Sequence, residues 1–246
     1  MRRTMFFAVT ALLALFAVSS VASAQDPQQT VEAKLTPTKL DKKKYKPAKI
    51  FVDVETAPND ENPALQQPPK ANRTVVDFPT NMKFDTDSVD KCAVTNTAIT
   101  NTTGDQAKEL CGPDSQVGEG VATVQVGISP TSSFDIPVVV TALNGNSKNQ
   151  IYLHSDAEGV PTKPVLVGKL VKGPQGFGSS LDVTIPPLGA GAISNFETTV
   201  KAGKYVQARC KSKTNKFQAH SFYTDHSPTD TPVWETKCTQ KKKKKK

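Results

Sequence analysis

Short runs of apolar and β-branched residues, separated by turns that contain glycine and proline, are the feature that most limits the folds open to this chain. In the run from Ile50 to Glu55, Ile50, Val52 and Val54 alternate with other residues, which is the period of a strand with one buried face. Ten further runs have a strand-like composition: 31–35, 74–78, 121–126, 136–142, 150–154, 165–171, 181–185, 196–200, 205–211 and 217–224. No long stretch has the 3.6-residue period of an amphipathic helix. The pattern therefore predicts an all-β protein.

Turn residues divide these runs at Asn144-Gly145-Asn146, Gly173-Pro174, Pro186–Gly189 and Ser227-Pro228. Many short strands with frequent turns favour packed antiparallel sheets over a parallel α/β sheet. We therefore predict a single large antiparallel β-sandwich over residues 31–238, with long loops, of which 58–70 is the longest exposed one. Two smaller sandwiches joined near Gly145 are the alternative.

The first 24 residues have the layout of a secretory signal peptide. Arg2 and Arg3 precede an apolar run that ends near Val18, and small residues follow up to Ala24. This run is shorter than the roughly 20 residues that span a bilayer, and no later segment is as apolar. We expect cleavage after Ala24, a disordered segment over 25–30, no transmembrane segment in the cleaved chain and an extracytoplasmic location. An N-terminal anchor helix that is never cleaved is the alternative.

Export to an oxidising compartment favours disulfides among the four cysteines. Three connectivities are possible, and proximity along the chain favours Cys92 with Cys111 and Cys210 with Cys238, at separations of 19 and 28 residues. Closing loops of that size stabilises a fold by roughly 3 kcal/mol each on the chain-entropy model. A zinc site is the competing interpretation, but the chain has neither a Cys-x-x-Cys pair nor a close Cys/His spacing.

The positive charge of the chain is concentrated at its C-terminus. Of its 31 basic residues, two lie in the leader and six form the run Lys241, Lys242, Lys243, Lys244, Lys245 and Lys246, so that the remaining 23 balance 23 acidic ones. We predict a flexible lysine tail over 239–246 that attracts anionic envelope polymers or lipid head groups. A tail that only increases solubility is the alternative. Nucleic acid is not expected as a partner, because no aromatic-interleaved basic pattern occurs in the body.

Four segments share a pattern with known proteins: Val76–Phe84 followed by Cys92, the segment Cys111–Gly120, the segment Leu35–Leu40, and the strand Phe217–Ala219 before a last cysteine and a basic tail. In these segments the chain resembles uncharacterised exported proteins of actinobacteria. The resemblance implies an extracytoplasmic β-rich fold. It implies no activity and no functional residues.

Candidate residues for chemistry are few. His154, His220 and His226 are the only histidines, and we predict surface or turn roles for the last two rather than a metal pair. The acidic segment with Asp85, Asp87 and Asp90 lacks the pattern of a calcium loop. The similar segment Asn59–Asn62 is also predicted to be a solvated turn.

Two other segments have a structural and a functional interpretation. Gly173–Gly178 superficially resembles a phosphate-binding loop, but strand-like residues follow it, so we predict a hairpin tip. Trp234 could stack on a sugar ring or anchor a partner, and we predict that it packs in the core near Cys238.

Three functional hypotheses follow. The first is a secreted, non-catalytic binding module that the lysine tail retains near the anionic envelope. The second is a structural or stress-related envelope component without a specific ligand. The third is a hydrolase or metal-dependent enzyme, which would require the histidines or acidic turns to converge in one cleft. We favour the first, with no enzymatic activity, no catalytic residues, no bound metal and no cofactor.

Overall fold

The computed structural model describes residues 28–57, 67–129, 132–201 and 203–241. The structure is 56% strand and 7% helix, which confirms the all-β prediction. Its elements, in chain order, are β1 (Gln29–Thr36), β2 (Lys39–Leu40), β3 (Lys46–Pro47), β4 (Lys49–Thr56), β5 (Ala71–Pro79), β6 (Met82–Phe84), α1 (Asn96–Ile99), α2 (Gly104–Cys111), a short 3-10 helix (Pro113–Ser115), β7 (Gln116–Ser129), β8 (Ser132–Asn144), β9 (Gln150–Asp156), β10 (Val165–Lys172), β11 (Phe177–Thr184), β12 (Gly191–Val200), β13 (Val206–Ala208), β14 (Thr214–Tyr223), β15 (Thr229–Asp230), β16 (Trp234–Lys237) and β17 (Thr239–Gln240).

Each of the eleven predicted strand runs overlaps a strand of the structure. Burial alternates along β1, where Val31, Ala33 and Leu35 point to the core and their neighbours are exposed. The same alternation in β4 buries Ile50, Val52 and Val54. The period of two in the sequence therefore corresponds to one buried sheet face.

Eleven strands form one antiparallel path in the order β1-β4-β12-β7-β8-β9-β10-β11-β5-β14-β15, and β16 pairs with β14 beside it. Two side-chain hydrogen bonds join the ends of this path: Gln29 Nε2 donates to Ser221 Oγ over 2.7 Å, and the Trp234 indole donates to the Ala33 carbonyl over 3.1 Å. The sheet is therefore nearly barrel-shaped, and the two packed faces belong to one sheet. The same sheet contains strands on both sides of Gly145.

Two small sheets cover one end of this near-barrel, which we call the closed end. They have the orders β3-β13-β6 and β17-β2. Their buried side chains, Leu40, Met82 and Val206 among them, belong to the main hydrophobic core. At the opposite end, which we call the open end because no sheet of the described residues covers it, the segments 157–164 and 186–190 connect strands of the large sheet.

The helices α1 and α2 pack on the outside of the sheet. Ile99 and Ala107 form a second small core with Leu143 and Tyr152 of the strands beneath them. A disulfide between Cys92 and Cys111 joins the two ends of the segment 92–111, which contains both helices and which we call the helical excursion. Sequence periodicity missed the helices because they are only four and eight residues long.

The predicted boundaries differ from the structure at a few places. β1 begins at Gln29, inside the segment predicted to be disordered, and Thr239–Gln240 form β17 although a flexible tail was predicted from residue 239. Pro68 and Pro69, at the end of the predicted exposed loop, are buried. The predicted signal peptide, residues 58–66 and Lys242 to Lys246 lie outside the described residues. Among the described residues, no helix has the length and apolar character of a membrane span.

Candidate functional site

The two predicted disulfides are both present, and the second organises the closed end. Cys210 and Cys238 are bonded across a separation of 28 residues. The Cys210 N–H donates to the Asp41 carbonyl over 2.7 Å, and Gln240 Nε2 donates to the Cys210 carbonyl over 3.0 Å. The bridge therefore holds the last described strand against the chain that follows β2.

Parallel pairing between β17 and β2 brings the start of the lysine run to a second group of lysines. The Lys241 N–H donates to the Leu40 carbonyl over 2.8 Å. Lys42, Lys43 and Lys44 follow Leu40 after one residue, and all three are exposed. Basic residues about 200 positions apart in sequence are thus neighbours at the closed end.

Asp41 fixes the shape of this lysine loop. Its carboxylate oxygen Oδ1 accepts the N–H groups of Lys43 and Lys44 over 2.7 and 2.8 Å. The hydrogen bonds from Lys44 and Lys43 lower the pKa of Asp41 below its ordinary value, so the carboxylate remains charged and retains both bonds at mildly acidic pH.

Tyr45 carries two further cations at the same end. The Arg209 guanidinium lies 4.5 Å and the Lys83 ammonium 5.1 Å from the centre of the Tyr45 ring. Such cation–π contacts hold charged groups over an aromatic face while leaving part of each group in water. We call the surface formed by Lys42, Lys43, Lys44, Lys83, Arg209 and Lys241 the basic end. Asp41 and Asp85 are acidic residues of the same region.

A buried amide supports the loop that carries Arg209. Asn81 is fully buried, and its Oδ1 accepts the N–H groups of Lys211 and Ser212 over 3.0 and 3.1 Å. Its Nδ2 donates to Ser212 Oγ and to Asn215 Oδ1, both over 2.9 Å. Sequence reasoning missed this residue, because an asparagine after a proline and a threonine is also typical of an ordinary exposed turn.

His220 lies between two carboxylates on the outer face of the sheet. Its Nε2 is 3.0 Å from Asp77 Oδ2, and its Nδ1 is 2.6 Å from Asp230 Oδ1. Asp77 is almost fully buried and also accepts a hydrogen bond from Ser180. A neutral imidazole has only one N–H, so both contacts are satisfied only by the protonated ring.

The electrostatics of His220 agree with this geometry. Desolvation by burial lowers the pKa of His220, but the hydrogen bonds to Asp230 and Asp77, together with their charges, outweigh it and raise the pKa above its ordinary value. Both ring nitrogens of His220 are engaged by carboxylates, so neither is free to take a proton from a nucleophile. The cluster is therefore a charged cross-strand link.

We expect His220 to make the protein less stable as the pH rises above about 6.5, the ordinary histidine pKa. Because the folded-state pKa is raised, the stabilisation is complete below the unfolded-state value and is lost as the pH rises through the folded-state value. The expected loss is about 1 kcal/mol or less, the range of partly exposed ion pairs. Urea unfolding between pH 6 and pH 8 measures it, and His220→Gln should flatten the profile. An unchanged slope in that variant would contradict the assignment.

His154 is fully buried on β9, beneath the helical excursion. Its Nε2 is 3.2 Å from Thr102 Oγ1, whose hydroxyl donates to the Ile99 carbonyl over 2.6 Å. Thr102 therefore accepts from His154, so the ring is protonated at Nε2. Desolvation lowers the pKa of His154, which keeps the ring neutral. His154 thus has a structural role beside the second small core.

The remaining candidates are dispersed. His226 packs edge-on against Tyr223, with ring centres 6.3 Å apart. Asp87 forms an ion pair with Lys91, and Asp85 accepts hydrogen bonds from Ser88 at its carbonyl and from Gln207 at its carboxylate. Among the described residues, no group of three or more His, Cys, Asp or Glu side chains could hold a metal ion. The segment Asn59–Asn62 lies outside the described residues.

Two predictions about turns and aromatics have different outcomes. Gly173–Gly176 connect β10 and β11 as a hairpin, as predicted. Trp234 is 39% exposed, so its predicted core position is wrong. Its indole N–H instead bonds to the Ala33 carbonyl of β1, across the seam of the near-barrel.

The fold and this site define a class: a disulfide-linked, nearly barrel-shaped antiparallel β-protein with a basic closed end. Comparisons with protein-family models, with curated proteins and with solved structures found no match for this chain. The function of the chain is therefore inferred from its own residues.

Proposed function

We propose that this chain is an extracytoplasmic, non-catalytic binding module, retained at an anionic surface of the cell envelope by its basic end and lysine tail. The observation that carries the proposal is the parallel pairing of Thr239–Gln240 with Lys39–Leu40. Anionic polymers and lipid head groups offer the negative charge that this end requires.

The convergence of the two lysine groups supports the proposal because electrostatic attraction depends on spacing. Neighbouring strands lie about 5 Å apart, and the screening length is about 8 Å at physiological salt. Charges within that distance act on the same part of an anionic surface. Each basic residue near such a surface contributes about 1 kcal/mol.

Three further features agree with the proposal. The two disulfides are typical of proteins in oxidising compartments. Residues 1–24 have the pattern of a signal peptide, and the resemblance to exported actinobacterial proteins points to the same location. His154, His220 and His226 have separate surroundings, which favours a non-catalytic role over the hydrolase hypothesis.

Binding of the chain 25–246 to vesicles of anionic and of zwitterionic phospholipid tests the proposal. We expect binding to the anionic vesicles only, with an affinity that falls steeply as salt increases. Removal of residues 242–246, or replacement of Lys42, Lys43 and Lys44 by glutamine, should each weaken binding at least tenfold at low salt. Sedimentation of the vesicles with bound protein is the measurement.

The matched control replaces three lysines away from the basic end by glutamine: Lys70 directly before β5, Lys108 of α2 and Lys169 within β10. This variant has the same change of net charge as the loop variant, and it should bind nearly as well as the parent chain. If both triple variants weaken vesicle binding equally, net charge alone determines binding, and the position of the lysines at the basic end has no part in it. Binding that is insensitive to salt and to the tail would contradict the proposal.

A further inference from the structure

The interior of the near-barrel contains unfilled apolar space. A cavity of about 100 Å³ runs through the lumen between inward-facing side chains such as Val52, Val76 and Leu153. A second cavity of about 400 Å³ lies at the open end. The two cavities share three lining residues, Leu166, Ile193 and Phe196. These three side chains therefore separate the lumen cavity from the cavity at the open end. Protein interiors are otherwise close-packed.

The cavity at the open end is bounded by the two connecting segments of that end. Val160 and Pro164 line it on one side, and Pro187 and Leu188 on the other. Gln67 Nε2 donates to the carbonyls of Gln125 and Ala190, over 2.5 and 2.6 Å, and so holds the segment 186–190 against β7. The apolar mouth is thus built by specific contacts, at the end opposite the basic end.

One buried polar group in the lumen is not satisfied. Gln29 is 6% exposed and lines the lumen. Its Nε2 donates to Thr56 Oγ1 over 3.1 Å and to Ser221 Oγ over 2.7 Å, which uses both of its hydrogens. Within the described part of the chain, Gln29 Oε1 has no hydrogen-bond partner. This atom has almost no accessible surface, so a ligand donor reaches it when the Gln29 side chain rotates toward the lumen. A buried acceptor without a donor is costly, which favours that rotation.

The lining sets the charge of such a ligand. Neither cavity is lined by a charged side chain among the described residues. An ionised carboxylate would lose its hydration there and gain no cation. Gln29 Oε1 accepts a hydrogen bond and cannot donate one. The complementary ligand is therefore a neutral hydrogen-bond donor on an apolar body, and a hydroxyl is the simplest such donor.

We propose that the lumen binds a neutral, largely apolar alcohol, which enters at the open end and donates its hydroxyl to Gln29. The inference rests on the proposed role as a binding module, but it does not depend on binding to anionic surfaces. It assigns the two functions to opposite ends of the molecule.

Equilibrium dialysis of the chain 25–246 against 1-decanol, decyl methyl ether and decanoate at pH 8 tests the proposal. We expect one decanol per protein, and affinities at least tenfold lower for the ether, which has no donor, and for the anion. Gln29→Leu should remove the preference for the alcohol over the ether. Failure of the folded protein to bind decanol, or equal affinities for the three probes, would overturn the proposal.

A pair of substitutions locates the site. Ile193→Phe enlarges a side chain between the two cavities and should weaken decanol binding at least tenfold. Val139→Phe makes a similar enlargement at a position that is 59% exposed on the outer face, and should leave binding unchanged. Equal affinities in both variants would place decanol elsewhere and overturn the assignment. The comparison of the three probes on the parent chain needs no substitution, so it decides the proposal even if Ile193→Phe fails to fold.

Vesicle binding of the same preparations separates this inference from the proposed function. Protein that binds anionic vesicles but not decanol overturns the lumen site alone. Protein that binds decanol but not anionic vesicles overturns retention by the basic end alone.

Discussion

Replacing Gly120 by alanine is expected to destabilise the protein by about 3 kcal/mol, near the upper end of the usual cost of overpacking. A Cβ atom at Gly120 would lie 2.1 Å from the Glu197 carbonyl oxygen and 2.9 Å from Thr198 Cα. Both are backbone atoms of β12, so no side-chain rotation relieves the contact. The strands β7 and β12, which pair over nine residues of register, would have to separate. Urea unfolding measures the loss.

Gly104→Ala is the matched control for this substitution. A Cβ atom there would lie 3.4 Å from Thr141 Oγ1, an ordinary contact, at the first position of α2. Alanine is a better helix former than glycine, so stability should stay within about 1 kcal/mol of the parent chain. Equal stability of the two variants would contradict the close approach of β7 and β12.

Loss of the Cys210–Cys238 bridge is expected to cost about 3 to 4 kcal/mol, the chain-entropy value for a loop of its length. The double variant Cys210→Ala and Cys238→Ala also releases β17, the strand directly before the lysine run. We therefore expect two effects, a lower free energy of unfolding and weaker binding to anionic vesicles.

The Cys92–Cys111 bridge provides the comparison. Its loop of 19 residues predicts a loss of about 3 kcal/mol, but it lies with the helical excursion and not at the basic end. Cys92→Ala with Cys111→Ala should lower stability and leave vesicle binding intact. If both double variants weaken vesicle binding equally, the Cys210–Cys238 bridge has no special part in forming the basic end.

The strands and the disulfides could be predicted because both depend on local pattern. The alternation of apolar and polar residues in 29–36 and 49–56 indicates one buried face, whichever strands become neighbours in the sheet. The near closure of the sheet was harder to predict from the sequence, because it depends on contacts such as that of Gln29 with Ser221, 192 residues apart. The capping box of Thr103 and Gln106 is one local signal that could have revealed α2.

The site was harder to predict than the fold. A count of charges made the body neutral, yet parallel pairing of β17 with β2 gathers lysines of the body around the start of the tail. The positive charge of His220 depends on Asp77, 143 residues away, and on Asp230. Such clusters arise from strand order, which hydrophobic periodicity does not encode.

The central claim is that the basic end binds an anionic surface and leaves the open end free. Hydrogen–deuterium exchange of the chain 25–246, with and without anionic phospholipid vesicles, tests it most directly. We predict that bound vesicles slow exchange in residues 42–46 and 209–213 and leave residues 157–164 and 186–190 unchanged. Slower exchange at the open end, with none at the basic end, would contradict the claim.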